Sequence, residues 1–231
     1  MLEKESSLSI RRLAGLAVAV AILWLFWDTR YVYPLRILLT FFHETSHGLA
    51  AVLTGGRIDK ITIQADGSGL CYTLGGWRWV ILPAGYLGSM LWGCLLLILA
   101  CRSRHHRFVS MGLGAGLLIL TLCYVRSRFG FGMGLAVGAA LASVGLWLPE
   151  QFNEAMLVFI GMASCLYSLF DVRTLMKLGR SVPNDAAMFS KEILPLPPVV
   201  WATIWGLIAL GALGLALRVA LGGTEDTASA G

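Results

Sequence analysis

The chain has 231 residues, 57% of them hydrophobic and only 13% charged, with a mean hydropathy of +0.75. A soluble domain of this size needs a larger polar coat, and several apolar runs approach the 20 or so residues that cross a bilayer. The net charge of +5 is spread singly and in short groups between those runs, as in membrane flanks, which argues against nucleic acid as a partner.

The expected fold is an all-α polytopic membrane protein with about seven transmembrane helices and one small β-hairpin. Residues 1–12 are polar and end in Arg11-Arg12, and Leu13 to Trp27 follows as a first span. The run closes on Trp24-Leu25-Phe26-Trp27-Asp28 without a small-residue cleavage site, so it reads as a retained helix rather than a signal peptide. A second helix starts near the aromatic belt Tyr31-Val32-Tyr33-Pro34 and ends at Gly55-Gly56. Beyond it, Arg57 to Gln64 and Gly69 to Thr73 flank Asp66-Gly67, a strong turn signal between isoleucine-rich strands, which predicts a hairpin.

Trp77 to Ala100 reads as a third span, with Pro83 and a small-residue group at Ala84, Gly85, Gly88 and Ser89. A basic loop at 102–107 follows, with His105 and His106 expected among solvated headgroups. Phe108 to Val125 and Phe129 to Leu148 are the fourth and fifth spans, and their pairs Gly112/Gly116 and Gly134/Gly138 are spaced for close helix packing. Phe152 to Phe170 is a sixth span, Val172 to Pro198 a polar segment, and Val199 to Ala220 a seventh span. The tail at 221–231 has a composition that predicts disorder. With the N-terminus inside, Lys4, Arg11, Arg12, Arg57, Lys60, Arg78, Arg126, Arg128 and the basic residues of 173–191 all face the cytoplasm, whereas the loop at 102–107 falls outside. The five cysteines, Cys71, Cys94, Cys101, Cys123 and Cys165, contain no C-x-x-C pair and indicate neither a disulfide framework nor a cysteine metal site.

The second helix carries the chemistry. His43-Glu44-Thr45-Ser46-His47 places two imidazoles four residues apart, on one helical face, with a glutamate beside the first. Two His hold a divalent ion in this pattern, and the Glu serves water as a base. Ionisable groups at bilayer depth are costly, on the order of 2.5–3.5 kcal/mol for Asp, Lys or Arg, so three in five residues need a compensating interaction. The bland alternative is a pair of histidines hydrogen-bonded to neighbouring helices. Catalytic zinc wants a third protein ligand. Matching by depth along the spans selects Asp171, at the inner end of the sixth, over Glu150 and Glu154 at its outer end. A carboxylate merely pairing with Arg173, and a ligand role for Asp185 instead, are the competing readings.

His43-Glu44-Thr45-Ser46-His47 in a span, a strand-rich insert after it, a Gly-rich next helix and an aspartate ending a later span resemble the site-2 protease family of intramembrane zinc metalloproteases. The resemblance covers roughly residues 31–100 and 152–200 of what reads as a single integral membrane domain. It is to the compact bacterial type, because the chain has no room for a PDZ module. It departs from the family's N-P-D-G or L-D-G sequence, with Leu169-Phe170-Asp171-Val172 in that place. The resemblance implies a bacterial plasma membrane protein, and the basic residues place its N-terminus in the cytoplasm. It further implies zinc on His43, His47 and Asp171, Glu44 as catalytic base, and membrane protein substrates that pair with the hairpin as an added strand. Two other readings are a non-catalytic metal-binding or transport protein, including an inactive protease relative, and a haem or di-iron oxidoreductase. The last is disfavoured: two His on one helical face cannot be opposite axial ligands, and four His are few for a di-iron site.

Overall fold

The computed structural model describes residues 15, 18, 20–27, 29–178 and 184–221, with 171–178 and 221 described by their backbone alone. In chain order the elements are α1 (Tyr33–Leu53), β1 (Arg57–Ile63), β2 (Gly69–Leu74), α2 (Arg78–Arg102), α3 (His106–Tyr124), α4 (Arg128–Trp147), α5 (Glu150–Leu178), α6 (Asp185–Glu192) and α7 (Pro198–Leu221).

Among the described residues, five helices are long and apolar enough to cross a membrane: α2, α3, α4, residues 150–170 of α5, and α7. Seven spans are therefore not reached. Leu13 to Trp27 lies partly outside the described residues, although 20–26 are helical and Leu23 is buried. The motif helix α1 has the length, at 21 residues, but not the apolarity. The reason is that protein rather than lipid covers it. Thirteen of its residues are buried, so its polar groups find partners inside the bundle. The tail expected to be disordered lies outside the described residues.

Small residues set the helix spacing. Between α2 and α5, Ser164 Oγ donates to the Ser89 carbonyl at 2.7 Å and Ser168 Oγ to the Tyr86 carbonyl at 2.9 Å. A Cβ on Gly93 would stand 2.8 Å from the Gly161 carbonyl, so the two backbones touch there. In the α3–α4 pair the contact falls on Gly114, whose Cβ would meet Ala142 N at 2.5 Å. Gly112 and Gly116, expected to pack, face open space instead, because the packing face of α3 is half a turn away. Gly134 and Gly138 do pack, against Thr121 and Leu118.

The hairpin forms as expected. β1 and β2 pair antiparallel from Arg57↔Leu74 to Ile63↔Gly69, with an irregularity between Ile58 and Lys60. Its tip turns at Asp66-Gly67, where Gly67 has φ +90° and the Asp66 carboxylate accepts from the Ser68 N–H at 2.9 Å. Two bonds lay this tip against α1: Tyr33 Oη donates to the Ala65 carbonyl at 2.6 Å, and Thr40 Oγ1 to the Gly67 carbonyl at 2.9 Å. The outer edge of β1 is occupied by the α3–α4 connection. There Arg126 N–H donates to the Ile61 carbonyl at 3.0 Å, Ile63 N–H donates to Ser127 Oγ at 2.9 Å, and that hydroxyl donates to the Ile63 carbonyl at 2.8 Å.

His106 departs from the expected solvated loop. The helices α2 and α3 extend to leave only 103–105 between them, so His106 opens α3 and is buried. Its Nε2 lies 3.0 Å from the Ala100 carbonyl and its Nδ1 3.3 Å from a Glu150 carboxylate oxygen. The polar segment before the last span also holds an unexpected helix, α6. Because Ser127 satisfies both backbone groups of Ile63, Ser127→Ala leaves an unpaired N–H and C=O beside the hairpin. A loss of about 1–3 kcal/mol is expected, read as a lower unfolding midpoint of the detergent-solubilised protein.

Candidate metal centre

Pro34 at the start of α1 and Thr54-Gly55 at its end fix a helix whose middle carries the motif. His43 and His47 project from one face, their ring centroids 4.8 Å apart. Both are largely buried, as is Glu44. α2 crosses this face and orients one ring: His47 Nδ1 donates to the Ile81 carbonyl at 2.7 Å. Nδ1 therefore carries the hydrogen, which leaves the lone pair on Nε2 free for a ligand bond.

Gly85, one turn further along α2, clears the space between the two rings. A Cβ there would lie 2.3 Å from His43 Nε2 and 2.5 Å from His47 Nε2, so any side chain fills that space. The sequence shows Gly85 only as one of a group of small residues, indistinguishable from a packing glycine.

The third group arrives on α6. Asn184 caps this short helix, its Oδ1 accepting from the Ala187 N–H at 2.8 Å, and Asp185 is the first helical residue. One carboxylate oxygen, Asp185 Oδ2, lies 3.2 Å from His43 Nε2 and 3.3 Å from His47 Nε2. Burial pushes the Asp185 carboxyl up, but the two imidazoles beside it more than offset this and hold it well below the usual carboxylate range. Asp171 lies in the last part of α5, and its side chain falls outside the described residues. Among the described residues, the carboxylate brought to the histidines is Asp185, the alternative ligand in the sequence.

The donor set fits a divalent metal. His43, His47 and Asp185 each offer one ligand atom, and these atoms lie within 4.8 Å of one another. Two donors each about 2.0–2.1 Å from a tetrahedral ion stand about 3.3–3.4 Å apart. Both carboxylate–imidazole separations match that edge. Two nitrogens and one carboxylate oxygen are also the donor types of a catalytic zinc site with a position left open.

Glu44 sits to one side of this trio, against the hairpin. A Cβ on Gly69 would stand 2.6 Å from Glu44 Oε1, and the Cys71 N–H of β2 donates to the carboxylate. Burial and then Glu44 push the Cys71 thiol up to about 12, so it stays protonated and is a poor metal ligand. All four groups line one cavity of about 330 Å³ between α1, β2, α2, α5 and α6, together with Tyr86, Tyr167 and Met188.

A protein-family model described as Peptidase M50B-like matches residues 16–216. No curated protein and no solved structure matches the chain.

A methyl group at position 85 would occupy the place between the two Nε2 atoms. Gly85→Ala is expected to abolish divalent-metal binding while leaving the circular-dichroism helix signal unchanged. Metal content of the purified variant measures it.

Proposed function

The chain belongs to the Peptidase M50B-like family, the site-2 protease family it resembles in sequence, and is an integral membrane protein. From that premise we propose that it is an intramembrane zinc metalloprotease that hydrolyses peptide bonds in or near the transmembrane segments of other membrane proteins. One observation carries the reading: the convergence of His43, His47 and Asp185 on one point, with Glu44 in the same cavity.

His43, His47 and Asp185 are the residues that would hold the metal. Zinc in such a site supplies a Lewis acid for the scissile carbonyl and activates water as nucleophile near neutral pH. The chain's own residues do the rest. Glu44 takes the proton of the attacking water on its carboxylate and gives it to the leaving amine as the C–N bond breaks. Ile81 keeps the His47 tautomer fixed through its carbonyl. The polar wall of Thr40, Ser68, Asn184 and the hairpin backbone keeps lipid from the cavity and gives water a place.

The hairpin supports a mode of substrate binding. The outer edge of β1 is taken by 125–127, whereas β2 borders the cavity through Gly69, Leu70, Cys71 and Thr73. A substrate unwound from its helix and added beside β2 lies against Glu44 and the histidines, and its backbone groups find partners that lipid lacks. The bacterial plasma membrane and a cytoplasmic N-terminus complete the proposal, with the cavity reached from the cytoplasmic side.

Two tests follow. Glu44→Gln keeps every metal donor, so its zinc content is expected to equal wild type while cleavage of a reconstituted membrane substrate falls by about 10²-fold or more. Retained cleavage refutes the base assignment. Treatment with a zinc chelator is expected to abolish cleavage and zinc re-addition to restore it. Cleavage that persists in metal-free protein refutes the metalloprotease.

A further inference from the structure

We propose that the ion pair of Arg78 and Glu192 is a positioning clamp that sets the register of α6 and thereby holds Asp185 against the histidine pair. The proposal rests on the metal-centre reading above.

The geometry is a two-point fork. Arg78 Nε donates to Glu192 Oε2 at 2.8 Å and its Nη2 donates to Glu192 Oε1 at 2.9 Å. Glu192 is seven residues after Asp185, two helical turns, so the two carboxylates lie on the same face of α6 within about 20°. One end of that face meets the histidines and the other meets Arg78. α6 has only eight residues and cannot hold itself as a helix without tertiary contacts.

Its apolar hold is Ala186 and Phe189, packed with Trp201, Trp205, Leu82 and Tyr86. Apolar burial is non-directional, so those contacts decide which face of α6 turns inward but resist sliding along its axis weakly. A bidentate guanidinium–carboxylate pair fixes both direction and distance. Metal ligation needs that, since donors must be held to within about 0.5 Å.

The partner of the clamp is placed to matter. Arg78, Ile81 and Gly85 follow one another at helical spacing on a single face of α2. Ile81 orients His47, Gly85 clears space between the two rings, and Arg78 holds the helix that brings the carboxylate. One stripe of one helix thus aligns donors that come from opposite ends of the chain. The pair is partly exposed, with side chains 41% and 36% accessible, so its contribution to overall stability is small. Its effect is local and falls on the metal.

The test is zinc affinity, measured by competition with a chromophoric chelator on the full-length protein in detergent. Arg78→Gln and Glu192→Gln are each expected to weaken zinc binding about tenfold, with unfolding midpoints close to wild type. The exchanged pair Arg78→Glu/Glu192→Arg is expected to recover most of the loss. The double variant Arg78→Gln/Glu192→Gln is expected to bind no more weakly than either single one, and it decides the matter should the exchanged pair not fold. Single variants that bind like wild type overturn the clamp, as does an exchanged pair as weak as the singles, or additive losses in the double variant. A wild type that binds no zinc, or binds it without His43, defeats the metal-centre reading itself. Normal wild-type binding with indifferent Arg78 and Glu192 variants defeats only the clamp.

Discussion

One carboxylate oxygen shared between two imidazoles is the contact on which the site depends. Asp185 Oδ2 reaches His43 across 142 residues of chain and His47 one turn further along the same helix, and two buried imidazoles and a half-buried carboxylate are tolerable there because they compensate one another. Separately, each would need another partner, and an aspartate alone at bilayer depth costs on the order of 2.5–3.5 kcal/mol. Together they form a donor set that a divalent ion completes. The helices around them are arranged to make that meeting possible.

α2 is the frame for it. Its first turns hold α6 through Arg78, orient His47 through the Ile81 carbonyl and leave room at Gly85. Its later turns pack on α5 through the Ser164 and Ser168 hydroxyls and the Gly93–Gly161 contact. Rigidity thus extends from the membrane-spanning pair to the site. The hairpin works from the other side. It is fastened to α1 by Tyr33 and Thr40 and to the α3–α4 connection by Ser127, which leaves β2 beside Glu44 with its edge toward the cavity.

The local parts of this arrangement were legible in the sequence. His43, Glu44 and His47 declare themselves by spacing, the hairpin by Asp66-Gly67 between isoleucine-rich strands, and the apolar helices by their length. What could not be read depends on contacts between distant elements. Matching carboxylates by depth along the spans selects Asp171, whose side chain lies outside the described residues, and depth is no guide to Asp185 on α6, a short helix inside a polar segment. The signal that could have pointed there was local: Asn184 before Asp185 is a helix cap, which marks the start of a helix in what reads as a loop. The role of Gly85 is invisible for a related reason, since a glycine that clears space for a ligand and one that lets two helices touch look alike. The basic residues around His106 suggest solvent, but the short 103–105 connection brings it inside. α1 has the length of a span without its apolarity, because a helix enclosed by protein need not be compatible with lipid.

The central claim is that Asp185 completes the metal site with His43 and His47. It is tested most directly by the zinc content of purified wild-type protein beside the His43→Ala, Asp185→Ala and Asp171→Ala variants. One zinc per chain is expected in the wild type and in Asp171→Ala, with zinc lost from His43→Ala and Asp185→Ala. Full zinc in Asp185→Ala, with loss in Asp171→Ala, would contradict it.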